Sequence, residues 1–145
     1  MKIRNVLFAI FLGTGMIFAQ DWQTDLTVAK EMSRAGNKRI ILVFQGSDWC
    51  APCIKLDKRI RSCEEFQEYA SDHFVMLLAD FPRKKQNRLP VEQKNKNEQL
   101  AETYKRNGNF PLVVVLDKDG KVLGQTGYKN ISVQEYINLL ESFSG

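Results

Sequence analysis

Cys50 and Cys53 stand two residues apart in the stretch GSDWCAPCIKLDKRI, Gly46 to Ile60, with a tryptophan before the first cysteine and a proline between the two. That spacing suits a metal site, a structural disulfide or a redox-active dithiol. A zinc site needs about four ligands, commonly in two paired clusters, and the chain offers one pair, a distant Cys63 and a single histidine, His73. A structural bridge across so short a loop stabilises a fold little, because the chain-entropy gain grows with loop length. The dithiol reading has support at each position. A helix starting near Ala51 puts Cys50 at its N-terminus, where unpaired backbone N–H groups and the helix dipole stabilise a thiolate. Pro52 suits the first turn, having no N–H to leave unpaired there. Such placement lowers a thiol pKa from about 8.5 into the range of roughly 3.5 to 7.5, so Cys50 is the expected nucleophile. Cys53, one turn later on the same side and better covered, is the expected resolving thiol.

The elements that must position this pair are legible in outline. Asp21 to Arg34 patterns as an amphipathic helix stopped by Gly36 and Asn37. RIILVFQ, Arg39 to Gln45, is a continuous branched apolar run, which predicts a strand buried on both faces that delivers the chain into the cysteine motif. A helical spacing of apolar residues follows from Ile54 through Ile60 and Phe66 towards Tyr69 and Ala70, and HFVMLLAD, His73 to Asp80, predicts a second buried strand. The segment Phe81 to Asn97 predicts a loop, and Glu98 to Arg106 a short helix ended by Asn107 and Gly108. Strands are expected at Leu112 to Leu116 and Lys121 to about Gln125, joined by the turn DKDG as an antiparallel hairpin. Ser132 is the expected N-cap of a last helix carrying Val133, Tyr136, Ile137 and Leu140 inward.

Strands separated by helices imply parallel pairing with right-handed crossovers, and the C-terminal β-hairpin adds an antiparallel edge. The fold class is therefore α/β, a mixed central sheet with helices on both faces. Chemistry in such sheets gathers at the carboxyl ends of the parallel strands, and Cys50 lies just beyond one.

The ends of the chain and its charge set the setting. Residues 1–19 carry Lys2 and Arg4, an apolar run from Val6 to Phe18 and the small Ala19, the pattern of a secretory signal peptide; residues 20–145 are then the working domain. The run falls short of the roughly 20 apolar residues of a membrane span, although retention as an anchor is the alternative. The whole chain has 21 basic and 17 acidic residues, net +4; without Lys2 and Arg4 the excess is two. So small an excess does not favour nucleic acid as a partner.

With strand and helix context in place, WCAPC after a buried strand and FP opening a later one resemble a thioredoxin-fold oxidoreductase. GSDWCAPC, DFPR and NFPLVVVLDKDGKVLGQTGY are similar to exported bacterial thioredoxin-like proteins, and the similarity runs from about Asp21 to the C-terminus. The resemblance implies that Pro111 is a cis-proline beside the active site. It also implies that Trp49, Phe110 and Pro111 bind substrate, with the Phe110 backbone pairing to the substrate chain. In thioredoxin a buried aspartate lies six residues before the first cysteine; here that position is Phe44, and the residue after the cis-proline, often threonine, is Leu112.

The expected function is a thiol-disulfide oxidoreductase, periplasmic or otherwise extracytoplasmic, exchanging disulfides with protein substrates through Cys50 and Cys53, with reduction as the favoured direction. Protein thiols or disulfides are its expected substrates, and a membrane or soluble thiol its electron donor. It is expected to act as a monomer without metal or other cofactor. The alternatives are an oxidase or isomerase of the same fold, or a non-enzymatic binding module or copper carrier. Cys63, ten residues past Cys53, would lie about 15 Å along a continuous helix, beyond the roughly 7 Å reach of a disulfide; a buried hydrophobic role is expected for it, with an intermolecular or regulatory thiol as the alternative, and a structural role for His73. Arg83, Lys84, Lys85, Arg88, Lys94 and Lys96 lie in the loop leaving the second strand. They should emerge on the active-site edge, either selecting an acidic or extended partner or simply solvated.

Overall fold

The computed structural model describes residues 21–104 and 108–144; the expected signal peptide and the expected helix stop at Asn107 lie outside them. Four strands, β1 (Arg39–Gln45), β2 (Phe74–Asp80), β3 (Leu112–Leu116) and β4 (Val122–Thr126), form one sheet in the order β2-β1-β3-β4. Around it lie α1 (Leu26–Gly36), α2 (Ala51–Leu56), α3 (Glu64–His73), α4 (Val91–Tyr104) and α5 (Val133–Ser142). Alternation along β1 divides the core. Ile41 and Val43 face a cluster with Leu56, Ile60, Phe66 and Tyr136, while Ile40, Leu42 and Phe44 face another with Ala29, Leu77 and Leu100. Helices therefore cover both faces, as the buried runs of β1 and β2 require.

β1 and β2 are parallel in register from Arg39↔Phe74 to Gln45↔Asp80, so both end on the same edge. The pairing of β3 corrects the parallel expectation: it runs antiparallel to β1, with Phe44 opposite Leu112 and Ile40 opposite Leu116. α4 carries the chain to the far edge, where the Tyr104 hydroxyl donates to the Gly120 carbonyl at 2.8 Å, and β3 begins back at the edge where β1 ends. This direction brings Pro111 to the carboxyl end of β1. The hairpin β3–β4 is as expected, with its Asp117 carboxylate accepting from the N–H groups of Asp119 and Lys121.

Four boundaries differ from expectation, each for a local reason. α1 starts at Leu26, not Asp21, because the Asp25 carboxylate accepts from Thr27 and Val28 N–H at 2.8 and 3.2 Å. Ahead of that cap Gln23 bridges to β2, its N–H donating to the Met76 carbonyl and its carbonyl accepting from Leu78. The helix after Cys53 is not continuous: α2 passes into a π-helical turn, Asp57–Arg61, and breaks at Ser62 before α3. The wide turn keeps Ile60 fully buried beside Leu56, and the Asp57 carboxylate takes up the Arg61 guanidinium and the Ser62 hydroxyl at the break.

β2 starts at Phe74, since His73 ends α3 with its ring stacked 4.0 Å from that of Tyr69. α4 starts at Val91, so Lys94 and Lys96 are helical and the loop is shorter than expected. Two i,i+4 ion pairs, Lys94–Glu98 and Lys96–Glu92, run along it, with Pro90 just ahead of the first turn. At the far end the Ser132 hydroxyl accepts from Glu135 N–H while the Glu135 carboxylate accepts from Ser132 N–H, a complete capping box for α5. That box holds the Glu135 carboxyl below the ordinary carboxylate range.

Candidate active site: a dithiol at a helix N-terminus

Cys50 leaves β1 through the tight turn Gly46–Trp49 and becomes the N-cap of α2, with extended backbone angles and its sulfur accepting from the Cys53 N–H at 3.3 Å. Pro52 lies in the first turn, as anticipated. Cys50 and Cys53 are joined by a disulfide with Cα atoms 5.2 Å apart, and are 4% and 2% exposed. The geometry suits exchange chemistry. When the bond opens, the Cys50 sulfur faces an N–H donor at the positive end of a helix, which favours thiolate over thiol.

Trp49, Phe110 and Pro111 gather at this edge. The Phe110–Pro111 bond is cis and Pro111 is buried. The Phe110 ring meets the Trp49 indole edge-on at 5.4 Å, and Phe81 lies 5.7 Å from Phe110. Trp49 Nε1 donates to the Phe81 carbonyl at 2.8 Å. Gly46 permits this arrangement, for a Cβ there would fall 2.2 Å from the indole.

A carboxylate two residues before Cys50 is engaged as well. Asp48 accepts from the N–H of Arg83 and of Lys84, both at 2.9 Å, and from the Asn87 amide at 3.0 Å. These donors, the Arg83 N–H foremost, hold its carboxyl at about 2. Asp48 thus ties the loop after β2 to the cysteine turn. Asp80, at the end of β2, ties it again by accepting from Ser47 N–H and hydroxyl.

Phe44 is fully buried in apolar surroundings where thioredoxin has its aspartate. Polar groups approach Cys53 from a different side. Gln45, Asp57 and Arg61 line a 240 Å³ cavity with Cys53, Arg61 donating to Gln45 Oε1 at 2.7 Å and to Asp57 Oδ1 at 2.9 Å. The Arg61 guanidinium also lies 4.7 Å over the Trp22 ring. Sequence alone did not single out this trio, because the π-helical turn that aligns Asp57 and Arg61 has no periodic signature.

Cys63 corrects an expectation. It is a free, half-buried cysteine at the N-cap of α3, not a buried hydrophobe, and its thiol donates to the Arg59 carbonyl at 3.1 Å. Among the described residues no group of three or more His, Cys, Asp or Glu side chains is placed to hold a metal ion, and no helix is long and apolar enough to cross a membrane.

Known proteins share this fold. A family model described as a thioredoxin-like domain matches residues 26–144. The chain is 40% identical over 114 residues to the disulfide bond reductase DsbH of Chlamydia pneumoniae, a match covering 79% of this chain and 67% of that one. It is 25% identical over 107 residues to the thioredoxin-related protein DsbJ of the same organism, covering 73% of this chain and 30% of that one. Among solved structures, a DsbH oxidoreductase superposes with a TM-score of 0.77 at 37% identity, covering 85% of this chain and 83% of that one.

Proposed function

This chain belongs to the thioredoxin-like family and is a thiol-disulfide oxidoreductase, and we propose that it works outside the cytoplasm as a reductase of protein disulfides. The observation that carries the chemistry is the Cys50 sulfur at the head of α2, accepting from Cys53 N–H. In the proposed cycle the reduced Cys50 thiolate attacks one sulfur of a substrate disulfide. A mixed disulfide forms and the first substrate thiolate leaves, taking a proton from solvent. Cys53, deprotonated, then attacks the Cys50 sulfur and releases the second substrate thiolate. Two electrons have passed to the substrate and the Cys50–Cys53 disulfide remains.

Trp49, Phe110 and Pro111 supply the surface on which the substrate chain lies; in support, Trp49 directly precedes Cys50 and its ring meets that of Phe110, while Pro111 leads into Leu112, which pairs with Phe44 near the carboxyl end of β1. The reductive direction is supported by the 40% identical relative, itself a disulfide bond reductase. A dithiol donor, membrane-bound or soluble, restores the reduced pair. Residues 1–19 are the export signal and 20–145 the working domain, acting as a monomer; the basic start and apolar run of the leader support export.

Two measurements test this. Insulin reduction under dithiothreitol by the wild type should exceed that of Cys50→Ser by about 100-fold, because the attacking thiolate is then missing; equal rates would defeat the enzymatic roles. A glutathione redox titration, read by mass after alkylation, should place the pair near thioredoxin at about −270 mV, and a potential near about −120 mV would make it an oxidant instead.

A further inference from the structure

The loop leaving β2 carries Arg83, Lys84, Lys85 and Arg88, and all four are exposed. Among the described residues, none of these side chains forms an ion pair with a carboxylate. Asp48, the carboxylate that binds this loop, feels the Lys84 charge but forms no ion pair with it, its oxygens accepting from the backbone N–H groups of Arg83 and Lys84 and from the Asn87 amide. Those bonds fix the path of the loop while its four basic residues stay exposed. Lys96 differs, being paired with Asp25 and Glu92 further along α4. An unpaired basic cluster on a mobile tail would be ordinary solvation, but this one is held against the redox turn from two sides.

The cluster also reaches the disulfide's own surroundings. The Arg83 guanidinium lies 3.6 Å over the Trp49 ring, directly before Cys50, and the same indole contacts Phe110 next to Pro111. Beside it opens a cavity of 420 Å³ lined by Phe81, Leu89, Val91, Arg83, Arg88 and Lys94. Val91 is 74% exposed there. Asp80 borders the cavity too, but its carboxylate is occupied by Ser47. The site therefore offers cations on a rigid frame with apolar wall between them.

We propose that this lip selects substrate: it takes an acidic segment flanking the reactive cysteine of a disulfide-bonded protein, carboxylates meeting Arg83 and Arg88 while an adjacent apolar side chain enters the cavity. Guanidinium groups match carboxylates in forked geometry, and Arg83 is already oriented by its stacking on Trp49. The assignment rests on the reductase reading and adds the class of protein reduced.

The test uses the reduced full chain and two fluorogenic disulfide peptides that share the same cysteine environment except for flanks rich in Glu and Leu or in Lys and Leu. Each rate is divided by that of dithiothreitol with the same peptide, which removes the intrinsic effect of the flanks on the disulfide. The acidic peptide should be reduced about 10-fold faster at low ionic strength, with the advantage shrinking to about twofold near 0.5 M salt as screening takes hold. In Arg83→Ser/Arg88→Ser, shown folded by an unchanged circular dichroism spectrum, the low-salt advantage should fall to about twofold. Equal rates with the wild type, or a full advantage kept by the double variant, overturns the proposal while leaving the reductase intact. A wild type that reduces neither peptide, where dithiothreitol reduces both, overturns the reductase reading together with it.

Discussion

Cys50 and Cys63 occupy the same local position, the N-cap of a helix, and are prepared for opposite lives. At Cys50 the sulfur turns into the helix, accepts from Cys53 N–H and has a partner thiol one turn on. At Cys63 no side-chain cap forms; the thiol turns back and donates to the Arg59 carbonyl. A helix N-terminus stabilises negative charge only on an atom that faces its N–H groups. The difference lies in which way the sulfur points, and behind that in the turns that deliver each residue: a buried strand and Pro52 at one, the end of a π-helical turn at the other.

The largest expected contrast is kinetic. In the reduced protein at about pH 6, iodoacetamide should modify Cys50 at least about 10-fold faster than Cys63, since only thiolates react; mass spectrometry of early time points reads this, and comparable rates would erase the distinction drawn here. In the oxidised protein a single adduct, at Cys63, is expected. The lip beside Cys50 is next in size. Asp48→Ala should leave the bonds after Arg83, Lys84 and Lys85 several-fold more susceptible to trypsin at pH 7, with no change in cleavage near Cys63.

The acid sensitivity of the lip follows from the same carboxylate. Its folded pKa of about 2 lies below the ordinary 3.8, so its contribution is complete above pH 3.8 and lost as pH falls towards 2. Trp49 fluorescence in a Trp22→Phe background should report a transition in that window that Asp48→Ala lacks. The smallest effects come from substituting serine at both N-caps. Against the reduced wild type, Cys50→Ser keeps a capping oxygen and should change stability by less than about 1 kcal/mol while abolishing exchange. Cys63→Ser should gain roughly 0.5 kcal/mol from a better cap and leave insulin reduction within about twofold; denaturant melts and turnover together separate the two sites. Ser132→Ala, where the cap is complete, should lose about 1 kcal/mol by the same measurement.

How much of this was legible follows from where hydrophobic pattern exists. β1, β2 and the hairpin are continuous apolar runs bounded by turn formers, and WCAPC set against them located the dithiol, its N-cap and its proline. α4 was cut short because VEQKNKN presents little but Val91 and the buried Asn97 to any apolar periodicity, and the helix there carries polar i,i+4 pairs instead. The direction of β3 lies outside the hydrophobic pattern because a helix between strands does not dictate how far the chain travels before re-entering the sheet. Cys63 was misplaced for a related reason: apolar spacing from Ile54 to Phe66 reads through a π-helical turn as though the helix were unbroken. Asp48 and the Gln45–Asp57–Arg61 trio depend on contacts between segments distant in sequence or on that same turn, which spacing cannot show.

The bridge made by Gln23 has a consequence for the protein's behaviour at high concentration. β2 is an outer strand of the sheet, and its free flank would offer a row of N–H and carbonyl groups to any passing chain. Gln23 occupies the middle of that row, bonded to Met76 and Leu78. That margin is thus obstructed by the segment ahead of α1. A chain shortened past Gln23 would retain its dithiol and expose a template for self-association, so the few residues ahead of α1 guard solubility as well as contributing to the fold.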